Sequence, residues 1–155
     1  VSQSDPERLT KAVLAIFRAN GQLMDWSDAF AAPFGLTSAR WQMLGALALA
    51  GGPASTPTIA RAMGLTRQGA RKQLALLFDE GLIRKRHNPA HKRSPLYELT
   101  DEGARTYDAI QTAWADQARS VCTEIPSESL DVTLSTLATL CKLHSRHQED
   151  EGDEG

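Results

Sequence analysis

Apolar residues at Leu9, Val13, Ile16, Phe17, Leu23 and Met24 recur three or four positions apart, the spacing of one helix face. The pattern predicts a long helix over 5–31. Asp5 stands where an N-cap belongs, Pro6 fits the first helical position, and Glu7 favours the positive helix end. Pro33 and Gly35 break the pattern. Thr37 then caps a second predicted helix, 37–50, which turns Trp41, Leu44, Leu47 and Ala48 toward a core and stops at Gly51, Gly52 and Pro53. Thr56 and Pro57 repeat the cap-then-proline signal and open a short helix over 57–63. Gly64 ends it, Thr66 caps the next helix, 66–80, and Gly81 closes that one.

The period then changes. Residues 82–86 read as a short strand and residues 95–99 alternate like a second, so the two are predicted to form a hairpin around the polar loop 87–94. Thr100 caps a long helix to 123 that carries Tyr107, Ile110, Trp114 and Val121. Pro126 and Ser127 start a last helix to 147. In it Leu130, Leu134, Leu137, Cys141 and His144 share a stripe that Leu140 and Leu143 widen. Residues 149–155 hold five acids and two glycines and read as a disordered acidic tail. The fold class is mainly α with a small β-hairpin, in a single domain over 1–148.

The stretch 57–81 has the form of a helix-turn-helix. Ile59, Ala60, Met63, Leu65, Ala70, Leu74 and Leu77 are its expected small core, and Ala60 and Ala70 let the two helices approach closely. The second helix then exposes Arg67, Gln68, Gly69, Arg71, Lys72 and Gln73. Arg and Gln make paired hydrogen bonds to guanine and adenine edges in the major groove of DNA. Backbone N–H groups near Thr66 and Arg67 can hold a phosphate, and Gly69 leaves room for a close approach.

Charge sharpens this picture. The 155 residues carry 17 basic and 19 acidic groups, net -2. Yet the window 61–93 holds Arg61, Arg67, Arg71, Lys72, Arg84, Lys85, Arg86, Lys92 and Arg93 against only Asp79 and Glu80. A basic patch on an acidic body is the footprint of a protein that meets a polyanion. Lys92 and Arg93 in the hairpin loop can reach an adjoining minor groove. Arg84 and Arg86 flank it against phosphates, on the strand face opposite Lys85. The rest of the composition, 41% hydrophobic and 23% charged, is that of an ordinary soluble domain. No apolar run is long enough to cross a bilayer. The first residues lack the basic and apolar regions of a secretory signal, so a cytoplasmic location and no membrane partner are expected.

From Leu36 to Gly103 the chain resembles the MarR (multiple antibiotic resistance regulator) family of winged-helix repressors. The resemblance is carried by Leu65, Thr66, Arg67 and Gln68; by Leu74 and Leu77 ahead of Gly81, Leu82, Ile83, Lys85 and Arg86; by Asn88, Pro89, His91, Lys92 and Arg93; and by Leu99, Thr100 and Gly103. It implies a winged helix-turn-helix core over 37–100 and a helical dimerisation region made by 5–31 and 127–147. It further implies a homodimer that sets two reading helices on a pseudo-palindromic operator of double-stranded DNA. It also implies a small, often aromatic, effector that releases the DNA. Trp26, Phe30, Trp41 and Trp114 are the candidate lining residues, although core packing is the favoured reading for any one of them. One departure stands out. The family wing usually reads Asp-Pro-x-Asp-x-Arg, whereas here Asn88 and His91 leave Arg93 without a carboxylate clamp, so a looser and more basic wing is expected.

Other chemistry is weaker. Cys141, His144 and His147 stand three apart, but Cys141 and His147 lie about 240° apart around a helix, so no metal site is assigned. Cys122 and Cys141 are expected as buried structural thiols; a redox- or metal-responsive regulator of the same fold is the alternative, as is an architectural DNA-binding protein without effector. No nucleophile elbow, phosphate loop or carboxylate pair marks a catalytic site, so neither an enzyme nor a cofactor is expected.

Overall fold

The computed structural model describes residues 4–145. The order is α1 (Asp5–Ala31), α2 (Ser38–Leu49), β1 (Ala54–Ser55), α3 (Thr56–Met63), α4 (Arg67–Asp79), β2 (Ile83–Arg86), β3 (Leu96–Leu99), α5 (Asp101–Val121) and α6 (Ser127–Leu143). Short 3₁₀ turns follow α1 and α5. The chain is mainly helical, as its hydrophobic pattern indicates. It forms two compact units, one up to Thr112 and one from Ala113, and the division falls inside α5. The acidic tail 149–155 and His147 lie outside the described residues.

In the first unit the core is built from α2 (Met43, Leu44, Leu47), α3 (Ile59, Ala60), α4 (Ala70, Leu74, Leu77), the sheet (Ile83, Tyr97) and Ile110 of α5. Burying a side chain such as Leu44 or Leu74 stabilises the fold by about 1.5–3 kcal/mol. Met43 was not among the expected core residues, whereas Trp41 and Ala48 are only half-buried. The helix meets neighbours on a wider arc than a single stripe. Leu65 is exposed in the turn instead of filling the helix-turn-helix core, because the chain reverses at Gly64, which takes the left-handed conformation at φ 64°.

Caps shift by one residue at two helices. Ser4, not Asp5, precedes α1, and its backbone N–H donates to the Glu7 carboxylate at 2.9 Å. Ser55, not Thr56, caps α3 by accepting from the Thr58 N–H. Ser55 is available because Ala54 and Ser55 pair with Tyr97 and Leu96 as a strand that the sequence reading missed. The hairpin is therefore part of a three-stranded antiparallel sheet in the order β1-β3-β2. A two-residue strand carries no readable alternation, which is why only its neighbours were foreseen.

The second unit is α6 with the end of α5. Helix α5 stops at Val121 and gives way to extended backbone at Ile125, the conformation favoured ahead of Pro126. Helix α6 stops at Leu143, short of the expected 147, where the His144 ring places Nδ1 2.9 Å from the Leu140 carbonyl oxygen. Cys122 and Cys141 are exposed, contrary to the expectation of buried thiols, because among the described residues no element covers them.

Candidate nucleic-acid interface

The turn between α3 and α4 is set by two local devices. Gly64 takes the left-handed conformation that ends α3, and the Leu65 N–H returns to the Ala60 carbonyl at 2.9 Å. Thr66 then caps α4, its Oγ1 accepting from the Gly69 N–H at 3.0 Å. A Cβ at residue 69 would stand only 3.1 Å from that Oγ1, so Gly69 serves the cap itself. Ala60 and Ala70 are both fully buried, which is where the two helices meet.

Burial of Ala70, Leu74 and Leu77 orients the rest of α4. Arg67, Gln68, Arg71 and Lys72 all lie exposed along its first two turns, together with Thr66, while Gly69 is half-buried. The free end of the helix thus presents cations, an amide and a hydroxyl on one side. This arrangement suits anion binding, since the backbone N–H groups of a helix start add positive potential.

The sheet carries the second basic group. Arg84 faces Glu98 across the β2–β3 pair, and Lys85 faces Tyr97. Glu98 Oε1 accepts from Nε of Arg84 at 2.6 Å and from Nε of Arg86 at 2.5 Å. These two guanidinium groups, Arg86 foremost, hold the Glu98 carboxyl below the usual carboxylate range. Lys85 projects the other way, its Nζ 4.5 Å from the centre of the Phe78 ring on α4. Arg84 and Arg86 do share the face opposite Lys85, as alternation requires, but they share it with an acid that the sequence reading did not weigh.

The wing loop is braced from within. Asn88 is buried, donates through Nδ2 to the Ser94 carbonyl at 2.9 Å, and accepts through Oδ1 from the Ala90 N–H at 3.0 Å. The His91 and Ser94 N–H groups close further turns onto the carbonyls of Asn88 and His91. An amide at 88 therefore ties the loop together where the family pattern would place a carboxylate. Lys92 and Arg93 are exposed near its tip.

A separate aromatic cluster lies between α1 and α2. Trp26 stacks on Phe30 with ring centres 4.9 Å apart, and Phe30 meets Trp41 at 5.5 Å and Phe34 at 6.3 Å. The Trp41 indole N–H reaches the Gln111 side-chain oxygen at 3.4 Å. Three of the four aromatic candidates are thus brought together with Phe34, which sequence reasoning missed. Trp114 belongs to the second unit.

Comparison with known proteins bears on these parts. A model of the MarR family matches residues 34–94, the span from the 3₁₀ turn ahead of α2 through the wing loop. An uncharacterized protein of Mycobacterium tuberculosis is 36% identical over 104 residues, which is 67% of this chain and 71% of the relative. The solved structure of the transcriptional repressor CouR bound to a 23-mer DNA duplex is 26% identical, covers 90% of this chain and 99% of its own, and superposes with a TM-score of 0.73. The chain belongs to the MarR family. An organohalide-sensing transcriptional regulator, RdhR, solved in its 2,4-dichlorophenol-bound form, shares the fold at a TM-score of 0.77 and 16% identity over 94% of this chain and 90% of its own.

Within this MarR-family chain, the matched span holds α4, both arginines of β2 and the wing loop. Glu98 lies just beyond it and Asn88 departs from the family pattern, so both need geometry to be recognised. Among the described residues no group of three His, Cys, Asp or Glu side chains is placed to hold a metal ion, and no helix is long and apolar enough to cross a membrane.

Proposed function

We propose that this protein is a cytoplasmic, dimeric transcriptional repressor without catalytic activity, released from its operator by a small aromatic ligand. The observation that carries the reading is α4: a capped helix anchored by Ala70, Leu74 and Leu77 that leaves Arg67, Gln68, Arg71 and Lys72 exposed beside a basic wing. In this reading α4 enters the major groove, with Thr66 and Gly69 near a phosphate. Arg84 and Arg86 meet the backbone, and Lys92 and Arg93 reach the adjacent minor groove.

Two further features support the rest. Helix α1 exposes Leu9, Leu14, Phe17 and Leu23, and α6 exposes Leu130, Val132, Leu134 and Leu143, apolar surface that a second copy would cover. A two-fold dimer would set two α4 helices on a pseudo-palindrome. The Trp26, Phe30 and Trp41 cluster, with Trp114 as a further candidate, has the chemistry to take an aromatic ligand. The ligand-bound relative was solved with a chlorinated phenol.

The test is titration of the full chain, by fluorescence anisotropy, against duplexes from the region upstream of its own coding sequence and against random duplex. Tight binding to one upstream segment, weakened by aromatic acids or phenols, is the expected result. The absence of duplex binding even in dilute buffer would reject the reading. Exposed Cys122 and Cys141 favour one alternative, release by oxidation, which peroxide in the same titration distinguishes.

A further inference from the structure

The wing root pairs two cations with one acid, and that acid has no part in the function proposed above. Glu98 is the cross-strand partner of Arg84, and alternation puts Arg84, Arg86 and Glu98 on one face of the sheet. A single oxygen, Oε1, accepts from Nε of both arginines. The Glu98 side chain is 17% exposed, whereas those of Arg84 and Arg86 are 54% and 56% exposed. The carboxylate is covered and the cations stay open to solvent.

Stability alone is a poor reason for this arrangement, because ion pairs with exposed partners add little. Phosphate binding responds more strongly. Each phosphate a protein neutralises steepens the log–log salt dependence of DNA affinity by about 0.9, so one charge is worth up to about eightfold near 0.1 M salt. This attraction acts on every sequence alike, whereas base-edge contacts distinguish sequences.

We propose that Glu98 is a positioning residue that sets specificity: it fixes Arg84 and Arg86 side by side and offsets one of their charges, so that random duplex is held weakly and α4 decides the site. The inference rests on the DNA-binding reading above. Its physical content is that the wing root presents one net positive charge to the phosphates in place of two, on guanidinium groups whose Nε edge is already engaged.

The test uses the full chain and two neutral variants, Glu98→Gln and Glu98→Thr, the second suited to a strand should the first fold poorly. Glu98→Asp keeps the charge. Affinity for random duplex and for a duplex selected from a random pool by the wild type is measured over a range of salt. Both neutral variants are expected to bind random duplex about three- to eightfold more tightly near 0.1 M salt, with a slope steeper by about 0.9. Their preference for the selected duplex is expected to fall, and Glu98→Asp to keep the wild-type slope. Wild-type slopes in both neutral variants, or weaker random binding, would overturn the inference. A wild-type chain that binds random duplex normally separates that failure from failure of the DNA-binding reading, in which no duplex is bound at all.

Discussion

Gly103 of α5 lies directly against the backbone of Leu82: a Cβ at residue 103 would stand 1.9 Å from the Leu82 carbonyl oxygen. The same oxygen accepts from the Thr100 N–H at 3.1 Å, and Thr100 Oγ1 donates to the Gly81 carbonyl while accepting from the Gly103 N–H. The end of α4, the root of the wing and the start of α5 are joined there through backbone. Gly103→Ala is expected to destabilise the fold by about 3 kcal/mol, since backbone cannot yield as a side chain does. Thermal unfolding followed by circular dichroism checks it, and a midpoint unchanged from wild type would contradict the close approach.

Arg71 is exposed on the outward side of α4. If it reads a base edge, Arg71→Ala costs about 1–3 kcal/mol on the operator and much less on random duplex. Comparing the two affinities at one salt concentration decides the point. Equal losses on both would make Arg71 a phosphate contact.

Arg93 near the wing tip is a charge contact in the proposed complex. Arg93→Ala is expected to weaken binding to all duplexes and to make the salt slope shallower by about 0.9. An unaltered slope would mean that the loop tip does not approach DNA.

Glu98 also gives a dependence on pH. Its folded-state carboxyl is held below the usual range, mainly by hydrogen bonds from Arg86 and Arg84. A group depressed in this way adds stability above its unfolded-state pKa and loses it as the pH falls through the folded-state value. The stability difference between wild type and Glu98→Gln is therefore expected to favour wild type at neutral pH and to fade on acidification through and below the carboxylate range. Urea titrations of both proteins at several pH values measure it.

Phe17 is 68% exposed and Leu134 66%. If a second copy covers them, Phe17→Asp combined with Leu134→Asp is expected to halve the mass seen by light scattering at micromolar concentration. The same mass in wild type and variant would place the contact elsewhere.

Most of the helical order was readable because the devices that make it are local. Thr37, Thr66 and Thr100 are followed by N–H groups they can cap, and Gly64 and Gly81 supply the left-handed turns. Long-range pairing was not readable. The register that sets Glu98 opposite Arg84 depends on how the loop between β2 and β3 folds, and that depends on the bonds of Asn88. The pairing of Ala54 with Tyr97 likewise joins segments far apart in sequence through only two residues. The aromatic cluster was seen in part: Trp26 and Phe30 are one helical turn apart, but Phe34 joins them only because a 3₁₀ turn follows α1. In each case the missing information was tertiary.

The strand order β1-β3-β2 leaves β2 on an outer border of the sheet. A border strand offers unpaired amides to any other extended segment, which makes it a template for aggregation. Here that border carries Arg84, Lys85 and Arg86 in succession, while the opposite border, β1, is only two residues long. Two such wings repel one another before their backbones can join, so the cations that suit a polyanion also help keep freshly made copies from zipping together.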